Sequence, residues 1–281
     1  MPIRNLRAAA LPAKLSRSWL LVNALKPELF APALGSEADS VIFDMEAPIP
    51  VDRKEEARAN VVEALNSGMT GWVRVNPPSS DFWADDLAAL SKVQGLRGVM
   101  LAETERPKQV AYTAMRLQAG TPVLALIESA LGLENATEIA SAPGTFRLAF
   151  GINDFRKDTG VGDDPLALAY ARSRLVIASR VGGLPGPIDG PAVGSASSEE
   201  VAAECRTTAV MGMTGKLALS IDHADEVNKG LSPSPDELEW AHELLEAHEA
   251  GAAMGDGSYL PRLKRAQKIA ELADSYGLWN A

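Results

Sequence analysis

The stretch "PVLALIESALGLENATEIASAPGTFRLAFGINDF" (122–155) decides the fold. Two short apolar runs, "VLALI" (123–127) and "FRLAF" (146–150), flank a segment with helical patterning. Each run is followed by an acid, Glu128 after the first and Asp154 after "RLAFGIN". Near-continuous apolar strands separated by helices are the pattern of a parallel sheet covered on both faces.

The same unit recurs outward in both directions. Further strand candidates are "SWLLV" (18–22), "SVIFD" (40–44), "GWVRV" (71–75), "RGVML" (97–101), "GPIDG" (186–190) and "GKLALS" (215–220). Helical patterns lie between them, at 53–65, 164–183 and 197–212 among others. The second of these opens on Asp-Pro and closes on Gly-Gly; the third has a serine cap and early acids. Strand–helix units in this number predict a (β/α)₈ TIM barrel. A doubly wound open sheet is the competing fold. The glycine-rich dinucleotide fingerprint it would carry is missing: "GVGDD" (160–164) has two glycines and no strand directly before it. Residues 1–230 are expected to form the barrel with an N-terminal arm, and 231–281 a C-terminal helical extension or lid.

Bulk composition narrows the function. The chain has 281 residues and a formal net charge of −10, which disfavours phosphate backbones, so nucleic acid is not expected as a partner. The single cysteine, Cys205, rules out an intrachain disulfide and a cysteine metal cage, and fits a reducing cytoplasm. The opening segment carries Arg4, Arg7, Lys14 and Arg17 without an acid, and lacks the apolar run of a signal peptide. No run of about 18 apolar residues occurs, so no membrane span is expected.

Barrel function sits where the strands finish. Those positions here are Asn23, Asp44 and Glu46, Arg74 and Asn76, Glu103, Glu128, Asp154, Asp189 and Ser220. Two acids at an apolar rim repel each other and lose hydration, a conflict a hard divalent cation resolves. Mg²⁺ takes one or two protein carboxylates and completes its shell with water and substrate oxygens. Glu128 and Asp154 are therefore candidate metal ligands; the alternative is that Asp154 caps the next helix and Glu128 pairs with an arginine. Arg74, inside an apolar strand, needs an anionic partner because it cannot shed its charge. That partner is either a substrate carboxylate or Asp44 and Glu46, and the two can coexist. His242 and His248 lack zinc-ligand spacing on their helix, and His223 follows the last strand. The "GSAS" loop (194–197) is read as a plain loop with no nucleophile elbow.

These residues resemble the citrate lyase β-subunit-like (CitE-like) branch of the HpcH/HpaI aldolase superfamily. The resemblance is carried in order by "RSWLLV", "SVIFDMEAPIPVDRKEEAR", "WVRVNPP", "GVML", "PVLALIESALGLENATEIASAPG", "RLAFGINDF", "ARSRLVIASRVGGLPGPIDGP", "GKLALS" and "PSPDELEWA". It implies a TIM barrel that assembles as a homotrimer. It implies Mg²⁺ on Glu128 and Asp154, with Glu46 beside the metal waters and Arg74 gripping a substrate carboxylate near Asp44. The implied activity is carbon–carbon cleavage or aldol chemistry through an enolate, on a small 2-oxo or 3-hydroxy acid or its CoA thioester. Several motif positions depart from the family: "VNA" (22–24), Ala47 in "MEAPI", Ala102 and Glu103 in "MLAE", and "LSI" (219–221). The lid motif reads "GDGSYLP" (255–261), which places Tyr259 where the family has an acid, with Asp256 as a nearby substitute. A different class of function consistent with these departures is a catalytically silent relative that binds a carboxylate ligand or a protein partner.

Overall fold

The structure is a computed structural model that describes residues 6–47, 49–251 and 257–279. It forms two compact units, Met1–Gly230 and Leu231–Ala281. In the first, eight parallel strands close into a barrel in sequence order: β1 (Ser18–Asn23), β2 (Ser40–Asp44), β3 (Gly71–Val75), β4 (Leu96–Leu101), β5 (Val123–Ile127), β6 (Thr145–Phe150), β7 (Ile188–Asp189) and β8 (Gly215–Ala218). The helices are α1 (Leu6–Ala10), α2 (Phe30–Gly35), α3 (Lys54–Asn66), α4 (Trp83–Leu90), α5 (Pro107–Arg116), α6 (Ala130–Glu134), α7 (Ala136–Ala140), α8 (Ile152–Thr159), α9 (Ala169–Val181), α10 (Ser198–Val210) and α11 (His223–Gly230). The second unit holds α12 (Pro235–Glu249) and α13 (Tyr259–Tyr276). Among the described residues no helix is long and apolar enough to cross a membrane.

Each strand is buried on both faces, which is why its sequence reads as a continuous apolar run. Side chains still alternate. In β5, Val123, Ala125 and Ile127 join the layer under the helices, while Leu124 and Leu126 point into the barrel. Val73 and Val75 of β3 likewise face the helices, and Trp72 faces inward. The interior is a packed plug of Trp19, Ile42, Trp72, Met100, Leu126, Ile188 and Leu217, among others, with the Trp19 and Trp72 rings edge to face at 5.2 Å. Beneath it the buried guanidinium of Arg147 donates to the Ser16 and Gly186 carbonyls and to Thr214 Oγ1, at 2.6–2.8 Å. These contacts tie the bottom of the barrel to two backbone carbonyls and a threonine hydroxyl.

The expected boundaries hold to within a residue or two for most elements. α9 is an exception, starting at Ala169 rather than at the Asp-Pro pair. Asp164 Oδ1 accepts the Leu166 N–H at 2.8 Å, so the pair builds a turn before the helix instead of capping it. β7 is also shorter than its apolar run, since only Ile188 and Asp189 enter the ladder. α10 starts as its sequence predicts, with a reciprocal box between Ser197 and Glu200.

The second unit is a helix pair. Ser234 and Glu237 form a capping box on α12, and Ala241, Ala266 and Ile269 make its small buried contact. Arg265 Nη2 bonds Glu237 Oε1 at 3.0 Å across the pair.

Candidate active site

Strand alternation brings the polar residues to one place. On β2, Ile42 points inward, so Asp44 does too; on β3, Trp72 and Arg74 follow the same rule; on β5, Leu124 and Leu126 are succeeded by Glu128. Asp44, Arg74, Glu128 and Asp154 line a single cavity of about 780 Å³ at the C-terminal ends of the strands. Asn23 and Ser220 line it as well.

Arg74 is buried and met by two acids. Its Nε donates to Asp44 Oδ1 at 2.8 Å and its Nη2 to Asp44 Oδ2 at 2.6 Å, a fork-to-fork pair. Its Nη1 lies 3.3 Å from Glu46 Oε2. Of the five guanidinium N–H groups, three face these carboxylates, and two can serve a ligand. The internal ion pair and a substrate grip therefore use different hydrogens of one side chain. Asp44 Oδ1 also accepts the Glu46 N–H at 3.0 Å, so both of its oxygens are taken within the protein. Asp44, expected from the sequence both at the substrate and as an internal partner of Arg74, lines the cavity and makes that internal pair.

Lys54 escaped the sequence reading. It lies in the first turn of α3, yet its Nζ donates to the Met45 carbonyl at 3.1 Å, the Glu46 carbonyl at 2.7 Å and Asn76 Oδ1 at 2.6 Å. It pins the loop that carries Glu46. Asn76 in turn donates to the buried Asp86, which also accepts from Arg58. Nothing in a run such as "VDRKEEAR" distinguishes this lysine from a solvated one.

Glu128 is held from two sides. Its Oε1 accepts the Glu103 N–H at 2.6 Å. Glu103 is the non-glycine residue with a left-handed backbone among the described residues, at φ 46°. Gly151 approaches from β6: a Cβ there would fall 2.5 Å from Glu128 Oε2, so only glycine leaves this carboxylate its place. Asp154 stands in the first turn of α8, with its side chain half exposed and its Oδ1 2.7 Å from Lys157 Nζ. Neither alternative from the sequence is met in full: Asp154 makes no cap contact with the helix start in these bonds, and Glu128 accepts from a backbone amide rather than from an arginine.

Electrostatics explain why the cluster suits a cation. Burial pushes the Glu128 carboxyl up to about 8, against the Glu103 amide and Arg74, which favour its charge; Glu46 and Asp154 push it further up. Burial also raises Glu46, opposed by Arg74. Burial disfavours the charge of Arg74, but the Asp44 carboxylate outweighs it and the net shift is upward. Lys54 is lowered by its burial, despite nearby Glu46 and Asp44. Asp44, Glu46 and Glu128 thus act on one buried guanidinium, and Asp154 lines the same cavity as Glu128. The donors are hard oxygens, one of them stripped of water, and that set fits Mg²⁺. Among the described residues no group of three or more His, Cys, Asp and Glu is placed to hold a metal, so a closed protein cage of the zinc type is not what this site offers.

Other sequence candidates fall elsewhere. Asp189 is buried between Arg172, at 3.0 Å, and Thr208, at 2.7 Å, and ties β7 to α9 and α10. His223 is buried with its Nε2 3.1 Å from the Ala196 carbonyl and does not line the cavity. His242 is exposed beside Glu246. Cys205 is buried, and burial raises its thiol to about 11, so it is inert. "GSAS" ends in the Ser197 cap of α10. Tyr259 opens α13 in the second unit, its hydroxyl 2.8 Å from His248 Nδ1. Asp256 lies outside the described residues.

Residues 17–220 match the family model described as HpcH/HpaI aldolase/citrate lyase, and residues 236–277 match its C-terminal domain model. The chain is 28% identical over 270 residues to mitochondrial citramalyl-CoA lyase of Homo sapiens, covering 84% of this chain and 79% of that protein. It is 30% identical over 284 residues to an L-malyl-CoA/beta-methylmalyl-CoA lyase of Cereibacter sphaeroides, covering 88% of each. Among solved structures, CitE from Mycobacterium tuberculosis in complex with magnesium, acetoacetate and coenzyme A superposes with a TM-score of 0.76. It shares 26% identity, over 94% of this chain and 99% of that one.

Proposed function

Because the chain belongs to the HpcH/HpaI aldolase/citrate lyase family, we propose that it is a Mg²⁺-dependent carbon–carbon lyase acting on a 2-oxo or 3-hydroxy acid or its CoA thioester. The observation that carries this reading is the shared cavity. Two carboxylates, Glu128 just after β5 and Asp154 in the first turn of α8, line it together with a buried arginine that keeps N–H groups for a ligand.

Cleavage of a 3-hydroxy acid takes the hydroxyl proton, converts that carbon to a carbonyl and leaves an enolate. The site must hold the carboxylate, accept the proton and face the growing negative charge. Arg74 holds the substrate carboxylate through its two remaining N–H groups, oriented by Asp44. Glu46, raised by burial and fixed by the Lys54 contacts to its loop, accepts the hydroxyl proton. Glu128 and Asp154 hold Mg²⁺, which when bound supplies the positive charge that stabilises an enolate oxygen. Tyr259 serves as proton donor through its phenol hydroxyl, which lies 2.8 Å from His248 Nδ1. Assembly as a homotrimer, with the C-terminal unit acting as a lid, belongs to the same proposal.

The test is cleavage of a panel of 3-hydroxy acids and their CoA thioesters, with and without Mg²⁺, followed by reduction of the oxo product. Cleavage that needs Mg²⁺ and is lost in Glu128→Ala supports the reading. Mg²⁺-independent turnover, or no substrate turned over and no Mg²⁺ bound, overturns it.

A further inference from the structure

Leu29, Leu219 and Ile221 are large apolar side chains that remain 39%, 45% and 36% exposed, and all three line the cavity that holds the carboxylate cluster. Exposed apolar side chains scattered over a surface need no explanation; three converging on one concave wall do.

Their place follows from the barrel. β1 and β8 are neighbours, with Trp19 opposite Leu217 and Leu20 opposite Ala218. Leu219 and Ile221 follow β8, and Leu29 lies in the turn after β1, so the three meet on one side of the mouth. Leu21 and Leu217 line the cavity below them. Glu128 stands at the end of β5, halfway round the ring of eight. The wall and the Arg74–Glu128 cluster line one cavity, so the far substituent of an acid held at that cluster is within the space the wall bounds.

The cavity, at about 780 Å³, is in the range that holds drug-sized ligands, well above a three-carbon acid. The cations lining it are Arg74 and Lys26. Arg74 serves the carboxylate grip, and Lys26 is an exposed side chain on the rim, with Asp222 lining the same cavity. A second carboxylate against Leu219 would meet no buried cation among the described residues that line this side of the cavity, whereas an alkyl or aryl group would meet apolar surface.

We propose that the β8–β1 wall of Leu29, Leu219 and Ile221 selects an acid whose far substituent is a branched alkyl or aromatic group. This rests on the lyase reading above, and the experiment separates the two. Full-length protein saturated with Mg²⁺ is titrated calorimetrically with pyruvate, 4-methyl-2-oxopentanoate, phenylpyruvate and oxaloacetate. Each buried methylene gives about fourfold in affinity, so 4-methyl-2-oxopentanoate binds at least about tenfold more tightly than pyruvate. It also outcompetes oxaloacetate, and free CoA does not displace it. In Leu219→Ser/Ile221→Asn the ratio to pyruvate falls to within about twofold, since the added methylenes no longer meet an apolar wall. Leu29→Ser, on the other loop, lowers the same ratio independently and covers a double variant that fails to fold. Oxaloacetate binding most tightly, a ratio that survives both variants, or displacement by CoA alone overturns the selectivity and leaves the lyase reading standing. Absence of Mg²⁺-dependent binding by every acid overturns both.

Discussion

On the β2–β6 side of the barrel mouth, Asp44, Arg74 and Glu128 sit on or directly after strands, buried and bonded within the protein. On the β8–β1 side, Leu29, Leu219 and Ile221 sit in turns beyond the strands, exposed and apolar. The first side is fixed by ladder hydrogen bonds and ion pairs, which suits groups that must meet reacting atoms within a fraction of an ångström. The second is held by local turn bonds, such as Leu29 N–H to the Lys26 carbonyl and Ala224 N–H to the Ile221 carbonyl, and its apolar side chains can vary without disturbing the ion pairs. The difference separates chemistry from selectivity: changes on the polar side should abolish turnover, and changes on the apolar side should alter which acid is chosen.

The largest break in that contrast is Glu128→Ala. It removes the proposed metal ligand and the partner of the Glu103 amide, and should lower kcat/KM by about 10³-fold or more while abolishing Mg²⁺ binding by calorimetry. Arg74→Ala should come next. It leaves the buried Asp44 and the half-buried Glu46 without their counter-charge, at a cost of about 3–5 kcal/mol in urea unfolding. Arg74→Lys keeps a charge but loses the fork, and should raise KM for the acid about tenfold or more.

Proton competition sharpens the picture on the polar side. Below about pH 4.5 the Glu128 carboxyl is protonated in both folded and unfolded chains. Between that and about 8 only the folded state retains the proton, so the metal-free protein loses stability as pH rises through this window. Mg²⁺ must displace that proton. Its apparent affinity should therefore rise about tenfold between pH 6 and 7, and again up to about pH 8, then flatten. A flat profile from pH 6 to 9 would remove Glu128 from the ligand set.

Lys54→Met tests whether the Glu46 loop is held in place. Loss of three acceptor contacts should cost about 1–3 kcal/mol and lower kcat more than it raises KM. Leu219→Ser should be the mildest, within about 0.5 kcal/mol of the parent in stability, because the side chain is already half exposed.

Much of this was legible along the chain. The eight strands announce themselves because a strand buried on two faces is apolar at every position, and the acids and arginine that interrupt the pattern stand out against it. That logic picked out Asp44, Arg74 and Glu128, and the motif order gave the family. It offered Asp44 and Glu46 as internal partners of Arg74 without saying which takes the fork, because this depends on β2 and β3 lying in register, Asp44 beside Arg74. It could not see Lys54, whose three acceptors come from the loop behind β2 and the end of β3. It put Asp154 at a strand end; the structure puts it one turn into α8, beside Lys157.

The sequence alone determined the period of the elements and hence the barrel, because hydrophobic alternation and helix stops are local properties of neighbouring residues. Only the tertiary structure decided which charges share a cavity and which are spent on one another. Those contacts run between residues some 25 to 30 positions apart, such as the Asp44–Arg74 ion pair and the Glu103 backbone amide donating to Glu128, and neighbouring strands of the ring bring them together. Coulomb energy and desolvation depend on that distance and burial, neither of which is written in the order of the letters.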